Sequence, residues 1–313
     1  MSVPLPLRVS IGNYPYVQPL KDGSVKSDRL KLTFIDVDPL NETFRRMIRD
    51  HEFDVSEMAL TTHAIAHAFN KRLIGLPVIL HRNFHHAALL CLKDSPLKGP
   101  ADLAGRKVAV RAYSQTTGVW LRGVLETEYG LDLESVTWIT TEDAHVKEYQ
   151  DPPNVVRAAP GKSLKSMLFG GEVDAAIGLR QADPAQIRTV IPDADQAAAA
   201  WYRKTGIYPA NHAVSLWTDL ADEHPWLGAE LSGLFAAAKA HARKTGLIKA
   251  VAYPATPQQL WLRDLVGDEP YPYGLDANRL PIETLVKFAA RQKLIPRAYR
   301  IDELFDTTIA AAA

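Results

Sequence analysis

Val108-Ala109-Val110-Arg111-Ala112-Tyr113-Ser114-Gln115-Thr116-Thr117 reads as a short buried strand, a polar turn and the opening of a helix that runs toward Tyr129. Working outward from it, the same unit recurs in both directions. Toward the N-terminus, strands are expected over residues 7–11, 30–34, 54–58 and 76–80. Asn41 is expected to cap a helix with Phe44, Met47 and Ile48 on one face, and Thr61 or Thr62 to open the next. The fourth strand leads into His81-Arg82-Asn83-Phe84-His85-His86, and another strand is expected over 86–92. Toward the C-terminus, strands are expected over 136–139, 173–177 and 212–216, with a short helix capped by Ser163 and closed by Gly170 or Gly171. The last third is helical: one helix has Pro225 in its first turn and ends at Gly246. A second starts at Thr256-Pro257 and ends at Gly267, and a third spans 281–293.

Strands alternating with helices define an α/β chain with mainly parallel sheets. The pattern restarts mid-chain, so two lobes are expected: residues 1–85 with 217–313, and an inserted lobe over 86–216. Ligands of such sheets bind at the carboxyl ends of strands, which places the expected site in a cleft between lobes.

Composition narrows the function. The chain has 313 residues, 47% of them apolar, with 36 basic side chains balancing 36 acidic ones. No run of one sign favours nucleic acid or a membrane surface as partner. The single cysteine, Cys91, sits in an apolar run and excludes an intramolecular disulfide framework. Residues 1–8 carry no basic leader or apolar signal core, so a cytoplasmic protein is expected. There is no phosphate-binding Gly-rich loop, no Gly-x-Ser-x-Gly elbow and no His-Glu-x-x-His. A homo-oligomer is compatible with Trp201, Trp217 and Trp226, which serve equally as core or interface residues.

Several loops carry residues suited to an anion. Asn13 and Tyr14 follow the first strand, where a ring face suits a planar ligand and Tyr-Pro is also ordinary turn chemistry. Ser56 and Glu57 lie at the end of the third strand. A carboxylate in a buried strand needs a partner, and Arg82 or a histidine can supply one. His81, Arg82, His85 and His86 cluster in sequence, with Arg82 suited to grip a carboxylate and the imidazoles to move a proton. A solvated loop with incidental histidines is the plain alternative. So is a divalent ion held by His81, His85 and His86, although their spacing fits no standard metal motif and no cofactor is expected. Tyr113, Ser114, Thr116 and Thr117 form a polar turn before a helix, a ready anion site. Arg180 and His212 flank strands expected in the inserted lobe.

Several stretches resemble the 4,5-dihydroxyphthalate decarboxylases. They are Glu52-Phe53-Asp54-Val55-Ser56-Glu57-Met58, Gly75-Leu76-Pro77-Val78 with Arg82 and His86, and Ala101-Asp102-Leu103-Ala104-Gly105-Arg106-Lys107-Val108. Trp120-Leu121-Arg122-Gly123-Val124-Leu125, the stretch from Tyr202 to Pro209, His212 and His224-Pro225-Trp226 complete the match. The family has an arginine before the histidine matched by His86, and this chain has His85 there. The resemblance implies a type 2 periplasmic-binding-protein-like fold and loss of CO2 from a hydroxylated aromatic dicarboxylate, a small anionic substrate. Relatives of that fold bind sulfonates or act on other cyclic acids, so a solute-binding protein and another lyase or synthase are the alternatives. For a decarboxylase, His86 or His212 is the expected ring-protonating acid, with Glu57 orienting it. Asn13, Tyr14, Ser56, Arg82, Tyr113, Ser114, Thr116, Thr117 and Arg180 are the expected substrate-binding residues.

Overall fold

Along Leu5–Ser10, Leu7 and Val9 are buried while Pro6 and Arg8 face solvent, the alternation that makes the segment a strand, β1. In a computed structural model describing residues 3–179, 183–248 and 260–309, it is the first of eleven strands among the described residues. The chain divides into two units. The first comprises Met1–Arg82, Ala210–Ile282 and Tyr299–Ala313; the second comprises Asn83–Pro209 and Glu283–Ala298.

The first unit begins with β1, helix α1 (Gln18–Lys21), β2 (Leu30–Phe34), α2 (Asn41–Asp50), β3 (Val55–Ala59), α3 (Leu60–Ala68) and β4 (Leu73–Arg82). The second contains β5 (Leu89–Leu92), β6 (Lys107–Val110), α4 (Thr116–Tyr129), β7 (Thr137–Thr140), β8 (Val155–Arg157), α5 (Leu164–Phe169), β9 (Ala175–Ile177), β10 (Ile187–Thr189) and α6 (Ala194–Thr205). The chain then returns to the first unit with β11 (Ala210–Trp217), α7 (Thr218–Glu223), α8 (Leu227–Lys244) and α9 (Leu260–Val266). Helix α10 (Leu275–Arg291) contains the passage to the second unit at Ile282, and α11 (Ile301–Leu304) closes the first.

The first unit's sheet has the order β2-β1-β3-β11-β4. Its β1 runs parallel to β2 and β3, whereas β11 is antiparallel to both neighbours. Leu7, Val9, Val55, Leu76, Val78, Leu80, Val214 and Leu216 bury one face with Leu231, Phe235 and Ala238 of α8. The second unit's sheet, β10-β5-β9-β6-β7-β8, is parallel except where β5 meets β9 and β10. Helix α4 supplies a buried stretch from Gly118 to Leu125, and Trp120 packs edge-on to Phe288 at 5.7 Å.

Several expectations shift. Asn41 lies inside α2 and makes no side-chain cap; Leu40 precedes it. Thr61 and Thr62 are likewise inside α3, after Ala59. β4 runs on through His81 and Arg82, while His86–Ala88 is a single 3₁₀ turn before β5, because the backbone at Leu89 is the first to return to extended geometry. Pro281 sits within α10 rather than at its start. Thr256 and Pro257 lie outside the described residues. The unit boundary falls at 82/83, and β11, expected in the inserted lobe, belongs to the first unit through its pairing with β3 and β4.

Candidate active site

The register of three neighbouring strands assembles the first unit's polar group. His212 of β11 stands opposite His81 of β4 on one side and opposite Ala59 of β3 on the other. Side chains alternate along a strand, so Glu57, two residues before Ala59, shares that face with His212. Its carboxylate is wholly enclosed, at 0% exposure. Oε1 accepts from His212 Nδ1 at 2.6 Å and from the Tyr14 hydroxyl at 2.7 Å. Oε2 accepts from the Gly12 N–H at 3.0 Å. Gly12 must be glycine here: a Cβ would lie 2.9 Å from the Tyr14 ring and 3.1 Å from Glu57 Oε2.

These donors set the charge state. Burial pushes the Glu57 carboxyl up, but His212, Gly12 and Tyr14 outweigh it and hold the group below the usual carboxylate range. Burial, then the adjacent Glu57 charge, raises the Tyr14 phenol, which stays a donor. The bond occupies Nδ1 of His212, whose side chain is 18% exposed. Phe44 meets the His212 ring edge-on at 5.0 Å. His81 lies 5.1 Å from it, centroid to centroid, and its Nδ1 is enclosed without a hydrogen-bond partner. Burial, reinforced by the nearby His212 charge, lowers His81 to about 4, so it is neutral at pH 7.

Other expected residues stand elsewhere. Ser56 points to the face opposite Glu57, where its hydroxyl donates to the Glu57 backbone carbonyl. Asn13 is exposed, and its side-chain oxygen accepts from Lys21 Nζ at 2.7 Å. Arg82 is not the partner of Glu57: its guanidinium donates to the Asn278 side-chain oxygen, and Asn278 in turn donates to the carbonyls of Pro272 and Gly274 at 2.8 and 2.6 Å. Arg180 lies outside the described residues.

In the second unit, His86 is buried against Trp201, 5.7 Å away, with Phe84 at 6.5 Å. Burial lowers it to about 4. His85 is buried beside it. Tyr113, Ser114 and Thr116 are buried at the turn that opens α4, Thr117 is partly so, and Gln115 precedes the helix without a side-chain cap. Among the described residues no three His, Cys, Asp or Glu side chains are grouped to hold a metal ion, and His81, His85 and His86 form no such group.

Sequence reasoning missed Gly12, Asn278 and Arg122. Arg122 had a visible signal, a cation inside the apolar stretch from Val119 to Leu125. Asn278 had none.

Two α/β units, each with a sheet in which a parallel run of strands is joined by antiparallel ones, fit the class of periplasmic-binding-protein folds. Solved structures agree: the periplasmic aliphatic sulphonate binding protein of Escherichia coli matches with a TM-score of 0.57 at 14% identity, over 96% of this chain and 97% of that one. A Candida albicans protein described as having the generic periplasmic binding protein fold matches at 0.57 and 12% identity, over 98% of each chain. At such identities the likeness is one of fold alone. No protein-family model matches the chain. The chain belongs to the 4,5-dihydroxyphthalate decarboxylase family, and is a carboxy-lyase. It is 30% identical to the 4,5-dihydroxyphthalate decarboxylase of Comamonas testosteroni over 96% of both proteins. It is 32% identical to that of Pseudomonas putida over 64% of this chain and 82% of the relative. Among the described residues no helix is long and apolar enough to cross a membrane.

Proposed function

We propose that the chain releases CO2 from a hydroxylated aromatic dicarboxylate by protonating the ring, with His212 as the acid. 4,5-Dihydroxyphthalate, the acid in the names of both relatives, is the first substrate to test. The observation that carries the reading is the 2.6 Å contact between His212 Nδ1 and the enclosed Glu57 carboxylate. A carboxylate so placed orients the ring and keeps a proton on Nδ1.

His212 gives the proton from Nε2 to the ring carbon bearing the departing carboxylate. The hydroxyl para to that carbon delocalises the positive charge. The carbon–carboxylate bond then breaks, its electron pair restores the aromatic ring, and CO2 leaves with the new C–H in place. The neutral imidazole regains a proton from water. His86, which burial keeps neutral, is the weaker candidate for the acid.

The test is CO2 release from 4,5-dihydroxyphthalate by the full chain and by His212→Ala. Loss of a positioned acid should lower kcat by about 10²–10⁴-fold. A variant that turns over at the wild-type rate sinks the assignment of His212. Ligand binding by the wild type without any CO2 release sinks the decarboxylase reading and favours a binding protein.

A further inference from the structure

Arg122 lies in the buried stretch of α4 at 0% exposure. A guanidinium out of water is costly unless an opposite charge meets it. Yet its hydrogen-bond partners are neutral. Nε donates to the Gln292 side-chain oxygen at 2.8 Å, and Nη2 donates to the Tyr113 backbone carbonyl. The guanidinium also lies over the Tyr113 ring, 3.8 Å from its centroid, and 5.2 Å from that of Trp138. Nη1 has no hydrogen-bond partner. Tyr149 and Asp151, which interact with each other, act on the cation through space, and neither hydrogen-bonds to it.

Nη1 lies against the first turn of α4. A Cβ on Gly118, the third residue of that helix, would come 3.0 Å from it. The first N–H groups of a helix have no intrahelical acceptors and carry the positive end of its dipole. The guanidinium therefore stands behind a pole of its own sign, in surroundings that screen poorly. An anion at the turn relieves both.

We propose that Arg122 is a positioning residue of a carboxylate site at the turn formed by Tyr113, Ser114, Thr116 and Thr117, holding the turn by the Tyr113 carbonyl and adding its charge from behind Gly118. The proposal deepens the decarboxylase reading and rests on it for the class of ligand, an aromatic carboxylate. It also gives Gly118 a purpose, because a Cβ there would press on Nη1 at 3.0 Å.

The test is calorimetric titration of the full chain with phthalate, which carries carboxylates, and with catechol, which carries none. Arg122→Gln should weaken phthalate about tenfold or more, the scale of a charge-assisted hydrogen bond, and leave catechol within about twofold. Gly118→Ala, which displaces the guanidinium without removing it, should weaken phthalate in the same direction, and it decides the matter if Arg122→Gln fails to fold. Asp151→Asn removes an opposing charge and should tighten phthalate. Folded Arg122→Gln and Gly118→Ala proteins that bind phthalate like the wild type overturn the proposal, as does equal loss of phthalate and catechol. If the variants separate the two ligands but the wild type releases no CO2, the carboxylate site stands and the decarboxylase reading falls. CO2 release with phthalate affinity unchanged in both variants does the reverse.

Discussion

Replacing Glu57 by Gln tests the charge at the centre of the first unit with almost no change of shape. The carboxylate accepts from His212, Tyr14 and Gly12 at 2.6, 2.7 and 3.0 Å. If the amide oxygen takes the place of Oε1, it still accepts from His212 and Tyr14, but without charge, and each bond weakens by about 1 kcal/mol. The amide NH2 then faces the Gly12 N–H, donor against donor, at a further cost of about 1–3 kcal/mol. Relief from burying a charge offsets part of this, so a net loss of roughly 3 kcal/mol is expected at pH 7. The folded carboxyl titrates below its usual value, so its contribution is complete above about pH 4.3 and disappears as pH falls through the folded value. Urea titrations of both proteins should therefore show a gap at pH 7 that narrows only in acid. Glu57→Gln should also lose turnover, since His212 loses the charged acceptor that orients its ring. A variant as stable as the wild type at pH 7 would refute the reasoning: the three donors would then merely balance the cost of burying the charge.

Burial holds His63 and His86 at about 4, and burial with the His212 charge does the same to His81. All are neutral in the folded chain but charge near about pH 6.5 when unfolded, so stability should fall as pH drops from about 6.5 toward 4, by up to about 1.4 kcal/mol per unit for each. His63→Gln should flatten the dependence of the thermal midpoint over that range, and parallel curves would contradict the assignment. Gly123→Ala drives a Cβ into the Phe288 ring and should destabilise the chain by roughly 1–3 kcal/mol, against the gain of about 1 kcal/mol that helix propensity alone predicts. A raised or unchanged thermal midpoint would count against that packing.

The strands with apolar alternation were legible from sequence, and the second unit's β8 was not. Two of its three residues are exposed, and it sits at the sheet edge, where no buried face imposes a period. The residues of the first unit's site were readable singly, but their grouping was not. Arg82 or a histidine is the expected partner of Glu57, and the histidine that meets it, His212, stands 155 positions away. Only the entry of β11 between β3 and β4, antiparallel to both, puts His212 on the face of Glu57. A tertiary register of that kind leaves no local mark on the chain.

A charge inside an apolar run nevertheless poses a question that the sequence states openly, and Glu57 and Arg122 pose it in the two units. For Glu57 the fold answers in full: three donors converge on the carboxylate, and one of them is an imidazole. For Arg122 the fold answers with neutral oxygens and aromatic rings and leaves Nη1 unmatched. A carboxylate of the chain bonded directly to Nη1, where Asp151 acts only through space, would have met the cost of burial permanently and closed the turn to anions. Leaving Nη1 without a hydrogen bond makes the approach of a carboxylate more favourable than solvent alone would allow. The enclosed carboxylate thus belongs to machinery that is complete within the chain, and the enclosed guanidinium to machinery that a ligand completes.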